Sequence, residues 1–189
     1  MRVWLGSGIV LFGAAAAVAS ASDKTERSPY SGQQHRSIKS LSADDIAALK
    51  SGAGWGFAKA AELNGYPGPL HVLELANQLQ LNAKQRRQIE AIFARMKSSA
   101  RELGAQFLAA EQALDRAFTD RSVTAKRLSM LTTTAGTLRA RLRAVHLTAH
   151  LETAPLLTEH QRQRYAMLRG YQGGHHAPDG PHKHHAHPK

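Results

Sequence analysis

The chain has 189 residues, 42% of them hydrophobic and 6% aromatic, which suffices for one ordinary domain with tails but for a core poor in large rings. It has no cysteine, which excludes a disulfide framework, a thiolate nucleophile and a thiolate metal site, so any metal chemistry must rest on His, Asp, Glu or Met. A formal net charge of +11 raises nucleic acid, an anionic membrane surface or acidic protein clients as partners, and the compartment must decide among them.

Arg2 is followed by an uncharged stretch, positions 3–22, with an apolar run from Trp4 to Val18 and then Ala19-Ser20-Ala21, an A-x-A cleavage pattern. The expectation is a secretory signal peptide over 1–21, cut after Ala21, and hence a periplasmic protein. The alternative is an uncleaved membrane anchor, for which the many alanines and glycines make the run weakly apolar. Export argues against a nucleic-acid partner.

Residues 22–40 are polar, without a helical stripe, and read as a flexible leader. Residues 41–171 read as the helical domain. Ser42-Ala43-Asp44-Asp45 has the form of a capping box and Gly52 can end the short helix that follows. A second helical piece from Trp55 to Leu63 stops at Asn64-Gly65-Tyr66-Pro67-Gly68-Pro69, and a third runs from Leu70 to Leu79. Asn82 and Gln85 then cap a long helix whose stripe runs through Ile89, Ile92, Phe93, Met96, Ala100, Leu103, Phe107, Ala110, Leu114 and Phe118. At 1.5 Å per residue it is about 50 Å long, and Gly104 is where it could bend.

The short connection Thr119-Asp120-Arg121-Ser122 makes the next long helix an antiparallel neighbour. That helix carries Leu128, Leu131, Ala135, Leu138, Leu142, Val145 and Ala149 at alternating spacings of three and four, a coiled-coil-like seam. Pro155 stops or kinks it, Thr158 and Gln161 repeat the cap of Asn82 and Gln85, and Tyr165 and Leu168 give the last helix a small apolar face. Residues 172–189 are Gly, Pro and His with nothing to bury, and read as a disordered tail. The fold class is all-α: a long antiparallel helical hairpin with short flanking helices. One hairpin leaves much apolar surface without a covering layer, so a homodimer is expected.

His146 and His150 lie four apart on one helix and can both reach one ion; His71 and Glu74, three apart, form a second pair. A loop centred between Asp120 and Arg121 would put Glu90 level with His150, and His71 could close the set if its helix folds back. His71, Glu90, His146 and His150 are therefore the candidate metal ligands, for zinc, nickel, cobalt or copper rather than magnesium or calcium. Two partly solvated histidines flanking a seam are the plain alternative. In the tail, His175, His176, His182, His184, His185 and His187 suit low-affinity metal capture, or are a solvated stretch whose charge rises below about pH 6.5. Leu147 stands where a zincin motif needs Glu, and no serine or carboxylate constellation suggests an enzyme.

Leu157-Thr158-Glu159-His160-Gln161, with the diverged copy Leu81-Asn82-Ala83-Lys84-Gln85, resembles the LTxxQ-motif family of periplasmic stress proteins, which includes Spy/CpxP-type chaperones and heavy-metal sensor or resistance proteins. The stretches from Tyr66 to Leu75 and from Ala144 to Leu151 look like the metal-sensor branch in particular. The resemblance covers roughly residues 64–171 and implies a bent hairpin that dimerises into a cradle. It also implies two alternative roles: metal sensing or resistance, with an envelope-stress signalling partner, or ATP-independent holding of unfolded periplasmic clients. The arginines spread over the hairpin are a solvated face or part of a basic and greasy client surface.

Overall fold

A computed structural model describes residues 27–171. The expected signal peptide, the start of the leader and the His-rich tail lie outside the described residues. Residues 27–32, which belong to an N-terminal unit of their own, are a turn segment. The unit that begins at Gln33 is all-helical over its described residues.

After one turn of 3-10 helix, Gln33–His35, the chain is already packed: Ile38 and Leu41 are buried, Lys39 Nζ lies 3.2 Å from Asp115 and Ser40 Oγ donates to Glu111 at 2.6 Å. The expected leader is thus anchored over its last residues. Helix α1 (Ala43–Ser51) begins with the predicted capping box, the Ser42 hydroxyl accepting from the Asp45 amide and the Asp45 carboxylate accepting from the Ser42 amide, and ends at Gly52 with φ 69°.

The next two helices are shorter than the apolar pattern suggests. Trp55 and Gly56 have φ 43° and 72°, a left-handed corner that no helix tolerates, so α2 spans only Lys59–Glu62. Pro69, whose missing amide costs nothing in a first turn, opens α3 (Pro69–Glu74), and turns carry the chain on to Gln80, itself at φ 52°. Val72 and Leu79 are buried all the same, because this stretch packs on the start of the long hairpin.

Helix α4 (Ala83–Thr119, 37 residues) and helix α5 (Ala125–Thr153, 29 residues) form that hairpin. Thr124, rather than a residue of the expected loop, caps α5 by accepting from the Arg127 amide, which moves the centre of the connection toward Ser122. The register shifts with it. Arg95 on α4 pairs with Glu152 on α5 at 2.8 Å, and with the connection centred on Ser122 Glu90 stands level with about Ala154, one turn past His150; its neighbour Ile89 shares a buried cluster with Leu157. Gly104 is a place of close approach: a Cβ there would run into the backbone carbonyl of Leu49, which lets α1 lie tightly on α4.

The larger core unites Leu49, Phe57, Leu103, Phe107, Ala135 and Leu142; a smaller one gathers Val72, Leu79, Ile89, Leu157 and Tyr165 at the open end of the hairpin. Both stripes fade toward the loop, where Phe118, Leu128 and Met130 are exposed. Pro155 ends α5 as expected, in a 3-10 turn (Ala154–Leu156), and Thr158 restarts the chain as α6 (Glu159–Leu168), of which Tyr165 is buried and Leu168 exposed.

Candidate functional site

His146 and His150 sit one turn apart on the inner side of α5 and are buried, at 3% and 8% exposure, where the seam residues Val145 and Ala149 press the helix onto α4. Polar rings at such depth need partners. The Phe57 ring stacks on His146 with centroids 5.9 Å apart, and nothing hydrogen-bonds to His146 Nε2. Burial, and to a smaller extent His150, hold the His146 imidazole below its ordinary pKa. It is a neutral ring with an unsatisfied nitrogen.

His150 is fixed differently. Its Nδ1 lies 2.7 Å from the carbonyl oxygen of Tyr66, an acceptor only, so Nδ1 carries the proton and donates, leaving the Nε2 lone pair free in the neutral ring. The Nε2 edge faces Gly68, where a Cβ would come within 2.8 Å of Nε2 and 3.5 Å of the Glu62 carboxylate. The missing side chain lets the imidazole edge pack directly against the Gly68 backbone, beside the carboxylate.

Glu62 is the hub of this region. Its carboxylate accepts from the Tyr165 hydroxyl at 2.5 Å, the Tyr171 hydroxyl at 2.9 Å and the Gly68 amide at 3.2 Å; Arg169 Nε lies 3.5 Å away and His150 Nδ1 3.6 Å. Burial, then the Glu62 hydrogen bond and charge, push the Tyr165 phenol far above the usual range, and the same causes in the same order raise Tyr171. Both phenols stay protonated as donors. Glu62, Gly68, Tyr165 and Arg169 were not among the candidates read from sequence. Glu62 lies in a short piece without periodicity, and its partners are 103 and 109 residues away in the chain, so no local signal points to it.

The histidines line one wall of a cavity of about 630 Å³ that also meets His71, Trp55, Phe93 and Met96. His71 therefore shares the cavity with His146 and His150, although its Nδ1 is engaged with Glu74 at 2.8 Å. Glu90 does not join them. It is exposed on α4, about one turn beyond the level of His150, and is not among the residues that line the cavity. The tail histidines His175, His176, His182, His184, His185 and His187 lie outside the described residues. Among the described residues no three His, Asp or Glu side chains converge closely enough to hold an ion, so the protein offers the His146 and His150 pair and neighbours that would have to move toward it. No family model matches the chain, and neither a curated protein nor a solved structure matches it.

Proposed function

We propose that the protein is a non-enzymatic, exported metal-binding stress protein of the LTxxQ type, acting in heavy-metal sensing or resistance. The observation that carries this reading is the unsatisfied Nε2 of buried His146 one helical turn from His150. A buried polar nitrogen without a partner costs stability, on the order of 1–3 kcal/mol, and a neutral imidazole is the form that ligates borderline metals. His150 adds what a ligand histidine needs, a backbone carbonyl holding the proton on the opposite nitrogen.

The donor chemistry fits zinc, nickel, cobalt or copper(II), with His146 and His150 as the holding residues and Glu62 or His71 as the side chains nearest at hand. Two imidazoles would hold an ion only in part and leave water or a further donor to complete its shell, which suits reversible capture. The bound ion would supply a Lewis-acidic centre tying α5 to the segment around Gly68. Metal titration followed by calorimetry tests the proposal: the His146→Ala, His150→Ala double variant is expected to lose the tighter class of sites, and unchanged binding would refute it. The repeated capping motifs and the sequence of residues 1–21 support the family and periplasmic parts of the reading, and a homodimer belongs to the same proposal.

A second reading, the client-holding chaperone, draws support from the loop end of the hairpin. Phe118, Leu128 and Met130 are exposed there alongside Arg116, Arg121 and Arg127, an apolar surface with a basic surround. Suppression of aggregation of a denatured acidic client in the presence of a chelator would favour this role, and no suppression would remove it.

A further inference from the structure

The cavity beside the histidines is much larger than an ion requires. At about 630 Å³ it falls within the range of small-molecule sites, roughly 300–1,000 Å³, whereas a water molecule occupies about 30 Å³ of liquid. Its walls are mainly apolar, built by Trp55, Phe93 and Met96, and its mouth carries Leu63 and Leu70 at 64% and 41% exposure. Large aliphatic side chains left open at the mouth of a cavity await something apolar.

The charges at the same place are mostly positive. Lys59, Lys97 and Arg169 line the cavity, and Glu62 is the one carboxylate among its described lining residues. Glu62 is already committed to Tyr165, Tyr171 and the Gly68 amide. Arg169 Nε is buried without a hydrogen bond but pairs with Glu62 at 3.5 Å, whereas the Lys97 ammonium rests over the Phe93 ring at 5.5 Å, next to the apolar wall. The surplus is positive beside a greasy surface.

We infer that this cavity binds a free single-chain carboxylate, a fatty-acid-like amphiphile, with its alkyl chain along Trp55, Phe93, Met96, Leu63 and Leu70 and its head group among Lys59, Lys97 and Arg169. A polypeptide is the poorer occupant, because each of its residues brings an amide and a carbonyl that need partners and the apolar walls offer few. An alkyl chain has no such requirement. The inference is independent of metal binding, since the head group is held by the cations and not by the buried imidazoles.

The test is calorimetric titration of the full-length protein with dodecanoate, dodecylamine and dodecanol, each below micelle formation and in the presence of a chelator. Dodecanoate is expected to bind one per chain and about tenfold or more tighter than the amine or the alcohol, a difference of roughly 1.4 kcal/mol. Lys59→Glu with Lys97→Glu should abolish that preference without changing the thermal unfolding midpoint, whereas Leu63→Ala with Leu70→Ala should weaken all three ligands alike. Equal affinity for amine and carboxylate, no binding of any, or association with phosphatidylglycerol vesicles but not with free dodecanoate would overturn the inference.

Discussion

Gln85 and Gln161, 76 residues apart, hold each other by their side-chain amides: Gln85 Nε2 lies 2.9 Å from Gln161 Oε1 and Gln161 Nε2 3.2 Å from Gln85 Oε1. Each glutamine also closes the capping box of its own helix, through Asn82 and Thr158 respectively. Each further donates to a backbone carbonyl of the other segment, Gln85 to Leu156 and Gln161 to Leu79. Two helix starts that look independent in sequence are one joint, which clamps the open end of the hairpin around Leu79 and Leu157.

This joint predicts strong coupling. Gln161 is 8% exposed, so Gln161→Ala leaves the Leu79 carbonyl and the Thr158 amide unmet and is expected to cost about 1–3 kcal/mol in urea unfolding. Gln85→Ala should cost less, and the double variant should fall short of the sum of the two by about 0.5 kcal/mol or more. Strict additivity would mean that the two caps act separately.

Gly104 gives a prediction that runs against helix propensity. On an isolated helix Gly→Ala stabilises by about 1 kcal/mol, but here the added methyl would meet the Leu49 backbone, which has no rotamer to yield. Gly104→Ala should destabilise by about 1–3 kcal/mol, the usual cost of overpacking, measured by chemical denaturation. A stabilised variant would show that α1 does not sit tightly on α4.

His146 predicts a pH dependence whose sign follows from its burial. The folded-state pKa lies below the ordinary imidazole value of 6.5, so the unfolded chain binds the proton more readily. The His146 contribution to stability is therefore complete above about pH 6.5 and is lost as the pH falls from there toward the folded pKa. Urea unfolding at stepped pH should show this loss in the parent protein and a smaller one in His146→Phe, which retains a ring for Phe57 to stack on. Identical profiles would place the titration elsewhere.

Much of the fold is legible in the sequence because its signals are local. The Ser42, Asn82 and Thr158 caps, the three-and-four stripes of α4 and α5 and the stop at Pro155 all lie within a few residues of the groups they control. What escapes is long-range or depends on one backbone angle. The left-handed corner at Trp55 shortens α2, and a cap at Thr124 moves the hairpin register by about one turn, so that Glu90 no longer stands level with His150. His146, His150 and His71 do share one cavity, as their spacing and helix order suggest. Glu62, the carboxylate nearest His150, is set there by contacts that no spacing encodes.

A homodimer predicts a light-scattering mass of two chains at micromolar concentration. The exposed Phe118, Leu128 and Met130 at the loop end are apolar surface that association or a client would cover. A monomer mass would count against the dimeric cradle while leaving the metal proposal intact.

Metal titration of a chain ending at Tyr171 bears most directly on the central claim, because it removes the tail histidines and leaves the pair on α5. Zinc, nickel, cobalt or copper(II) is expected to bind this shortened chain and raise its thermal midpoint, and His146→Ala with His150→Ala is expected to abolish both effects. No binding by the shortened chain, or binding that survives the double substitution, would contradict that claim.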